Sequence, residues 1–157
     1  MSESKAETKN KVTKTIVTSP NIYKPVGPYS FALNFSQAIL AGQTLYLSGV
    51  LGMDPQGQFA SGGAEGQTKQ ALENMKHVLE AGGASLESVV KTTVLLARME
   101  DFDVVNRVYA QYFTKDYPAR SSFQVAKLPR DAAVEIEAIA LSGDLVIAEA
   151  GPCPCEH

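Results

Sequence analysis

The run SSFQVAKLPRDAAVEIEAIAL, residues 121–141, reads as two strands, Ser121 to Leu128 and Val134 to Leu141, paired through a turn at Pro129-Arg130-Asp131. Val134, Ile136 and Ala138 alternate with Glu135 and Glu137, the period of two that turns one face of a strand toward a core. Immediately upstream, Pro118 forbids the continuation of a helix whose apolar stripe is Phe102, Val105, Tyr109 and Tyr112, with Asp101 placed to cap its start. Val89 to Ala97 is apolar and β-branched on both faces, as expected of a central buried strand. Before it, Ala71, Leu72, Met75, Val78 and Leu79 recur at helical spacing, and Gly82-Gly83 supplies the stop. Met53-Asp54-Pro55-Gln56-Gly57 is turn chemistry, and Thr44 to Ser48 reads as a strand entered from a turn at Ala41-Gly42.

Strands therefore come first, two helices interrupt them, and paired strands finish, which defines one α+β domain over residues 15–143. Two helices can shield only one face of such a sheet, so the other face is expected to be covered by neighbouring subunits. Residues 1–14 are polar and patternless and read as a disordered tail. Residues 144–157 read as a loose extension, in which Leu145 to Ala148 is followed by Gly, Pro and acids.

The length, 157 residues with 45% apolar and 20% charged, suits a single domain that buries a core without disulfides or metal. No apolar run approaches the roughly 18 residues a membrane span requires. The first fourteen residues lack a signal-like apolar stretch and carry Glu3 and Glu7, so a cytoplasmic protein is expected. A formal charge of −3 without a basic stripe argues against a nucleic-acid partner. Cys153, Cys155 and His157 offer three ligands at a terminus, short of the four held ligands of a structural zinc site. His77 is the only other histidine, so histidine-based metal sites and Ser-His-Asp triads are nearly excluded, and neither a metal nor an organic cofactor is expected.

Several residues nevertheless have the chemistry of a site. Arg120 follows Tyr117-Pro118-Ala119, where proline stiffens the approach, and a guanidinium held there can grip a carboxylate through two parallel hydrogen bonds. The same arginine can equally be a plain surface residue. Glu135 and Glu137 share a strand face, with Cα atoms roughly 6.5–7 Å apart. Ile139 and Leu141 continue that face, so an acid on it needs a partner or has a raised pKa. Either glutamate is a candidate base. Tyr29 and Ser30 are presented by the turn Gly27-Pro28-Tyr29-Ser30, and Ser48-Gly49 closes a strand where glycine lets a ligand approach the backbone. Gly62-Gly63-Ala64-Glu65-Gly66 opens a helix but lacks the Lys-Ser/Thr of a phosphate loop.

Taken together, Pro118-Ala119-Arg120-Ser121-Ser122-Phe123-Gln124-Val125-Ala126-Lys127-Leu128-Pro129 and Val134-Glu135-Ile136-Glu137-Ala138-Ile139-Ala140 closely resemble the signature of the reactive-intermediate deaminase family (RidA/YjgF). Gly27-Pro28-Tyr29-Ser30, Leu47-Ser48-Gly49, Gly52-Met53-Asp54-Pro55 and Val90-Lys91-Thr92-Thr93-Val94 fall where that family has similar segments, so the likeness spans about residues 15–143. It implies a chorismate-mutase-like α+β fold, a mixed sheet with two helices on one face, and a homotrimer with three intersubunit clefts. It implies hydrolysis of 2-imino acids such as 2-iminopropanoate and 2-iminobutanoate to 2-oxo acids and ammonia. Arg120 then binds the substrate carboxylate, Glu135 rather than Glu137 orients or activates water, and Tyr29, Ser48, Gly49, Asn106 and Ser122 line the cleft. A protonated imine is already electrophilic, which agrees with the lack of a metal site. Relatives have also been given chaperone-like and RNA-cleaving roles, which stand as the competing readings.

The chain departs from the family pattern twice. Ser122 stands where many members carry Cys, and Phe31-Ala32-Leu33-Asn34-Phe35-Ser36 intervenes between the tyrosine turn and Gln37-Ala38. The second departure leaves open whether Tyr29 reaches the cleft or Phe35-Ser36 takes its place; the segment is expected at the cleft rim.

Overall fold

The computed structural model describes residues 11–23 and 36–151, in the order β1 (Lys14–Val17), β2 (Ala38–Ala41), β3 (Thr44–Leu51), α1 (Gly63–Ala81), β4 (Val89–Leu96), α2 (Phe102–Tyr112), β5 (Ala119–Gln124) and β6 (Val134–Leu141). The six strands form one sheet ordered β1-β2-β3-β6-β4-β5, in which only β4 and β5 run parallel. Tyr29, Ser30, Phe31 to Phe35, Cys153, Cys155 and His157 lie outside the described residues. So does most of the N-terminal tail, although its last residue, Lys14, already belongs to β1.

The closing strands do not pair with each other as their sequence suggests. The α2 helix between β4 and β5 makes a crossover connection, and a crossover delivers its second strand parallel to its first. That leaves the other side of β4 for β6, which inserts between β3 and β4 and is antiparallel to both. β5 is an edge strand and stops at Gln124, short of Leu128.

Burial follows the alternation. Val134, Ile136, Ala138 and Ala140 of β6 are buried together with Thr92, Val94 and Leu96 of β4, on the face covered by α1 and α2. β4 is therefore not buried on both faces. Its odd-side residues Lys91, Thr93 and Leu95 are only half covered in the subunit. α1 presents Ala71, Leu72, Met75, Val78 and Leu79 to this core and packs on β3 and β6. The helices are tied to each other where the Tyr112 hydroxyl donates to Glu73 at 2.7 Å. Asp101 makes no side-chain cap; a 3-10 turn, Met99–Asp101, feeds α2 instead and leaves Asp101 with helical backbone angles.

On the opposite face Tyr46, Phe123 and Val90 remain 49%, 48% and 43% exposed, an apolar surface that a sheet of this kind normally hides. One end of that face is covered by a small cluster of Leu51, Met53, Leu128 and Ala132. Here β3 does not end at Ser48-Gly49. It bulges there, since Leu47 pairs with Ala138 and Val50 with Ile136, and continues to Leu51. The buried Asn74 side chain of α1 donates to the carbonyls of Leu51 and Met53 at 3.0 and 2.8 Å and fixes the strand's exit.

Candidate functional site

Two groups of polar residues emerge, on opposite faces of the sheet. The first is built on the β5 edge. Arg120 pairs in register with Thr92, so it shares the face that carries the helices. Its guanidinium carbon lies 4.8 Å from the centroid of the Tyr109 ring. Tyr109 in turn exchanges a hydrogen bond of 2.7 Å with the Thr92 hydroxyl, and burial pushes its phenol pKa up, which keeps it neutral. Arg120 itself is exposed and forms no ion pair among the described residues. Two residues on, Ser122 points to the same face and its buried hydroxyl has no hydrogen-bond partner among the described residues. Asn106 lies one turn before Tyr109 on α2, the spacing that puts two side chains on neighbouring positions of one helix face.

The second group surrounds Glu135. This residue opposes Leu95 on one side and Leu51 on the other, on the face away from the helices. The apolar surroundings desolvate its carboxylate and raise its pKa, and the charge of Glu137 adds to the rise. Glu137 is exposed. The Glu135 carboxyl rests against the α-carbon of Gly49, so closely that a side chain on Gly49 would overlap it. Ser48, the other bulge residue, donates its hydroxyl to the Ser36 carbonyl at 2.6 Å, leaving its oxygen as an acceptor. Beside the bulge lies a cavity of about 480 Å³, lined by Ser48, Gly49, Val50, Ser36, Gln37 and Tyr23 and reaching Val78 of α1; Glu135 borders Gly49 but is not part of its lining.

Tyr23 is the residue that reading the sequence missed. Its hydroxyl accepts the Leu51 N–H at 3.2 Å, and its pKa is raised, first by burial and further by the charge of Glu135. Ile22-Tyr23-Lys24-Pro25 has no periodicity and no turn signature, so nothing in it announces a site. Tyr29 was the tyrosine expected there. It lies outside the described residues.

Gly49 makes the Glu135 placement testable. Gly49→Ala is expected to displace the carboxyl, lower turnover about tenfold and cost about 1–3 kcal/mol through overpacking. Denaturant melts should show that the stability loss largely disappears in Gly49→Ala/Glu135→Ala, because the clash needs both side chains. An equal loss in the double variant would mean that glycine serves the bulge rather than the glutamate.

Arg120 and Glu135 are thus not neighbours within one subunit. They occupy opposite faces and are separated by the width of β4, which puts their strands roughly 10 Å apart. Among the described residues no group of three or more His, Cys, Asp or Glu side chains is arranged to hold a metal ion, and no helix is long and apolar enough to cross a membrane.

Residues 27–142 match the family model described as Endoribonuclease L-PSP. The human 2-iminobutanoate/2-iminopropanoate deaminase is 46% identical over 136 residues, covering 86% of this chain and 95% of the human protein. Among solved structures, yeast Mmf1 superposes with a TM-score of 0.77 at 32% identity, covering 83% of this chain and all (100%) of that one. Escherichia coli TdcF with bound serine superposes with a TM-score of 0.73 at 33% identity, over 82% and 99% of the two chains.

Proposed function

Because the chain belongs to the Endoribonuclease L-PSP family, the reactive-intermediate deaminases (RidA/YjgF), we infer that it is a hydrolase of C=N bonds that converts 2-iminobutanoate and 2-iminopropanoate to 2-oxo acids and ammonia. The observation that carries this reading is an exposed arginine on one edge that forms no ion pair among the described residues, together with a half-buried carboxylate of raised pKa. These are the two groups the reaction requires. Arg120 holds the substrate carboxylate and fixes C2 of the imine. Glu135 removes a proton from water as the water oxygen adds to C2 of the protonated imine and the C=N π pair moves to nitrogen, forming a carbinolamine. That proton then goes to nitrogen, and as Glu135 takes the hydroxyl proton the C–N bond breaks and ammonia leaves the 2-oxo acid. Serine bound to E. coli TdcF is likewise a small carboxylate ligand, which supports a carboxylate-gripping site. Ser48, Gly49, Asn106 and Ser122 are the lining we assign, and Tyr23 joins them; Tyr29 keeps its place from the resemblance alone.

The cleft we propose lies between subunits of a homotrimer. The placement of Arg120 and Glu135 on opposite faces supports this, because one subunit's edge strand can bring Arg120 to its neighbour's Glu135. The exposed apolar residues Tyr46, Val90 and Phe123 supply the surface such an association would bury.

A coupled assay tests the function. A threonine or serine dehydratase generates the imino acid, and 2-oxo acid release is followed with and without this protein; accelerated release is expected. Unchanged release, with salt-dependent retention of RNA, would instead favour the ribonuclease reading that the family's description suggests and that the −3 charge opposes.

A further inference from the structure

An arginine on an edge strand has four rotatable bonds and, in solvent, no fixed plane. Arg120 is different because it has a floor. Beneath its guanidinium, at 4.8 Å, lies the ring of Tyr109, which is only 7% exposed. That ring is held at both ends. Its hydroxyl is tied to the buried Thr92 at 2.7 Å, and its face stacks on Phe113 with centroids 4.5 Å apart. Thr92 is also the strand partner of Arg120, so the tether and the arginine are set by the same β4–β5 register. Stacking occupies the face of a guanidinium and leaves its N–H groups free in the plane, where a carboxylate needs them.

We propose that Tyr109, tethered to Thr92, is the positioning residue that fixes the plane of Arg120 and so presents its two-pronged donor edge to the substrate carboxylate. The inference rests on Arg120 being the carboxylate grip. Tyr109 does not touch the substrate; it removes the freedom Arg120 would otherwise lose on binding, so its contribution falls on affinity and not on the chemical step.

The test uses the full chain and 2-oxobutanoate, a stable product bearing the same carboxylate. Tyr109→Met fills the space without a π face. Its dissociation constant for 2-oxobutanoate, read by calorimetry, is expected to weaken about tenfold, within the range of one cation–π contact, while kcat stays within about twofold. Tyr109→Phe keeps the ring but loses the tether and should weaken binding about two- to threefold, a partial rescue. A purely structural Tyr109 would lower the melting temperature and leave the dissociation constant unchanged, and that result overturns the inference. Should Tyr109→Met not fold, the Phe variant decides alone: unaltered binding overturns the proposal and weakened binding sustains it. Arg120→Ala separates the two levels. If that variant binds 2-oxobutanoate as wild type, the reading of Arg120 fails; if it does not while both Tyr109 variants bind normally, only the role of Tyr109 fails.

Discussion

Arg120→Ala is expected to abolish imine hydrolysis while leaving the fold and its thermal stability intact. Two charge-assisted hydrogen bonds at about 2 kcal/mol each amount to a loss on the order of 10³-fold in kcat/KM. The side chain is exposed on the β5 edge and forms no ion pair among the described residues, so removing it leaves no buried charge behind. Arg120→Lys retains the charge but not the planar fork, and should recover only a small part of the loss. Activity of Arg120→Lys near the wild-type level in the dehydratase-coupled assay would show that charge alone suffices and that no bidentate grip exists.

The second large effect belongs to Glu135. Glu135→Gln keeps the shape against Gly49 and removes the base, so turnover should fall on the order of 10²-fold. A pH profile adds a signature. Only the ionised carboxylate accepts a proton, and burial plus the neighbouring Glu137 raise the pKa of Glu135, so activity should climb with pH through a limb displaced above the ordinary carboxylate range. Glu137→Gln removes the like charge and should move that limb to lower pH with little change in the plateau rate. A larger drop in plateau rate at Glu137 than at Glu135 would reverse the assignment.

The two strands that carry these residues were unequally legible. β6 declared itself because one of its faces is sealed by helices, and Val134, Ile136 and Ala138 record that burial as alternation. Alternation tells a strand's faces but not its neighbours, so the insertion of β6 between β3 and β4 was invisible while the turn at Pro129 suggested a hairpin. β5 lies at an edge with almost every residue exposed, and it has no period to read. Val125 and Leu128 extended it on paper, although they belong to the cluster around Leu51 and Met53. Arg120 and Glu135 could be picked out as candidates, and the resemblance chose between the glutamates. Their opposite faces required the β4 register that links them. Tyr109 was read as one more apolar stripe residue, since a sequence shows that a ring is buried but not what is laid upon its exposed side.

The separation of Arg120 from Glu135 across the sheet has a genetic reading. If three subunits close a ring, each cleft draws its fork from one copy and its base from the next, so a defective copy does not own a site to lose. In a mixed ring, a single copy lacking only Arg120 silences one cleft of the three, and so does a copy lacking only Glu135. A copy lacking both silences two. Two inactive alleles, one for each residue, can therefore restore some working clefts when expressed together, whereas a doubly altered allele is partly dominant over a normal one.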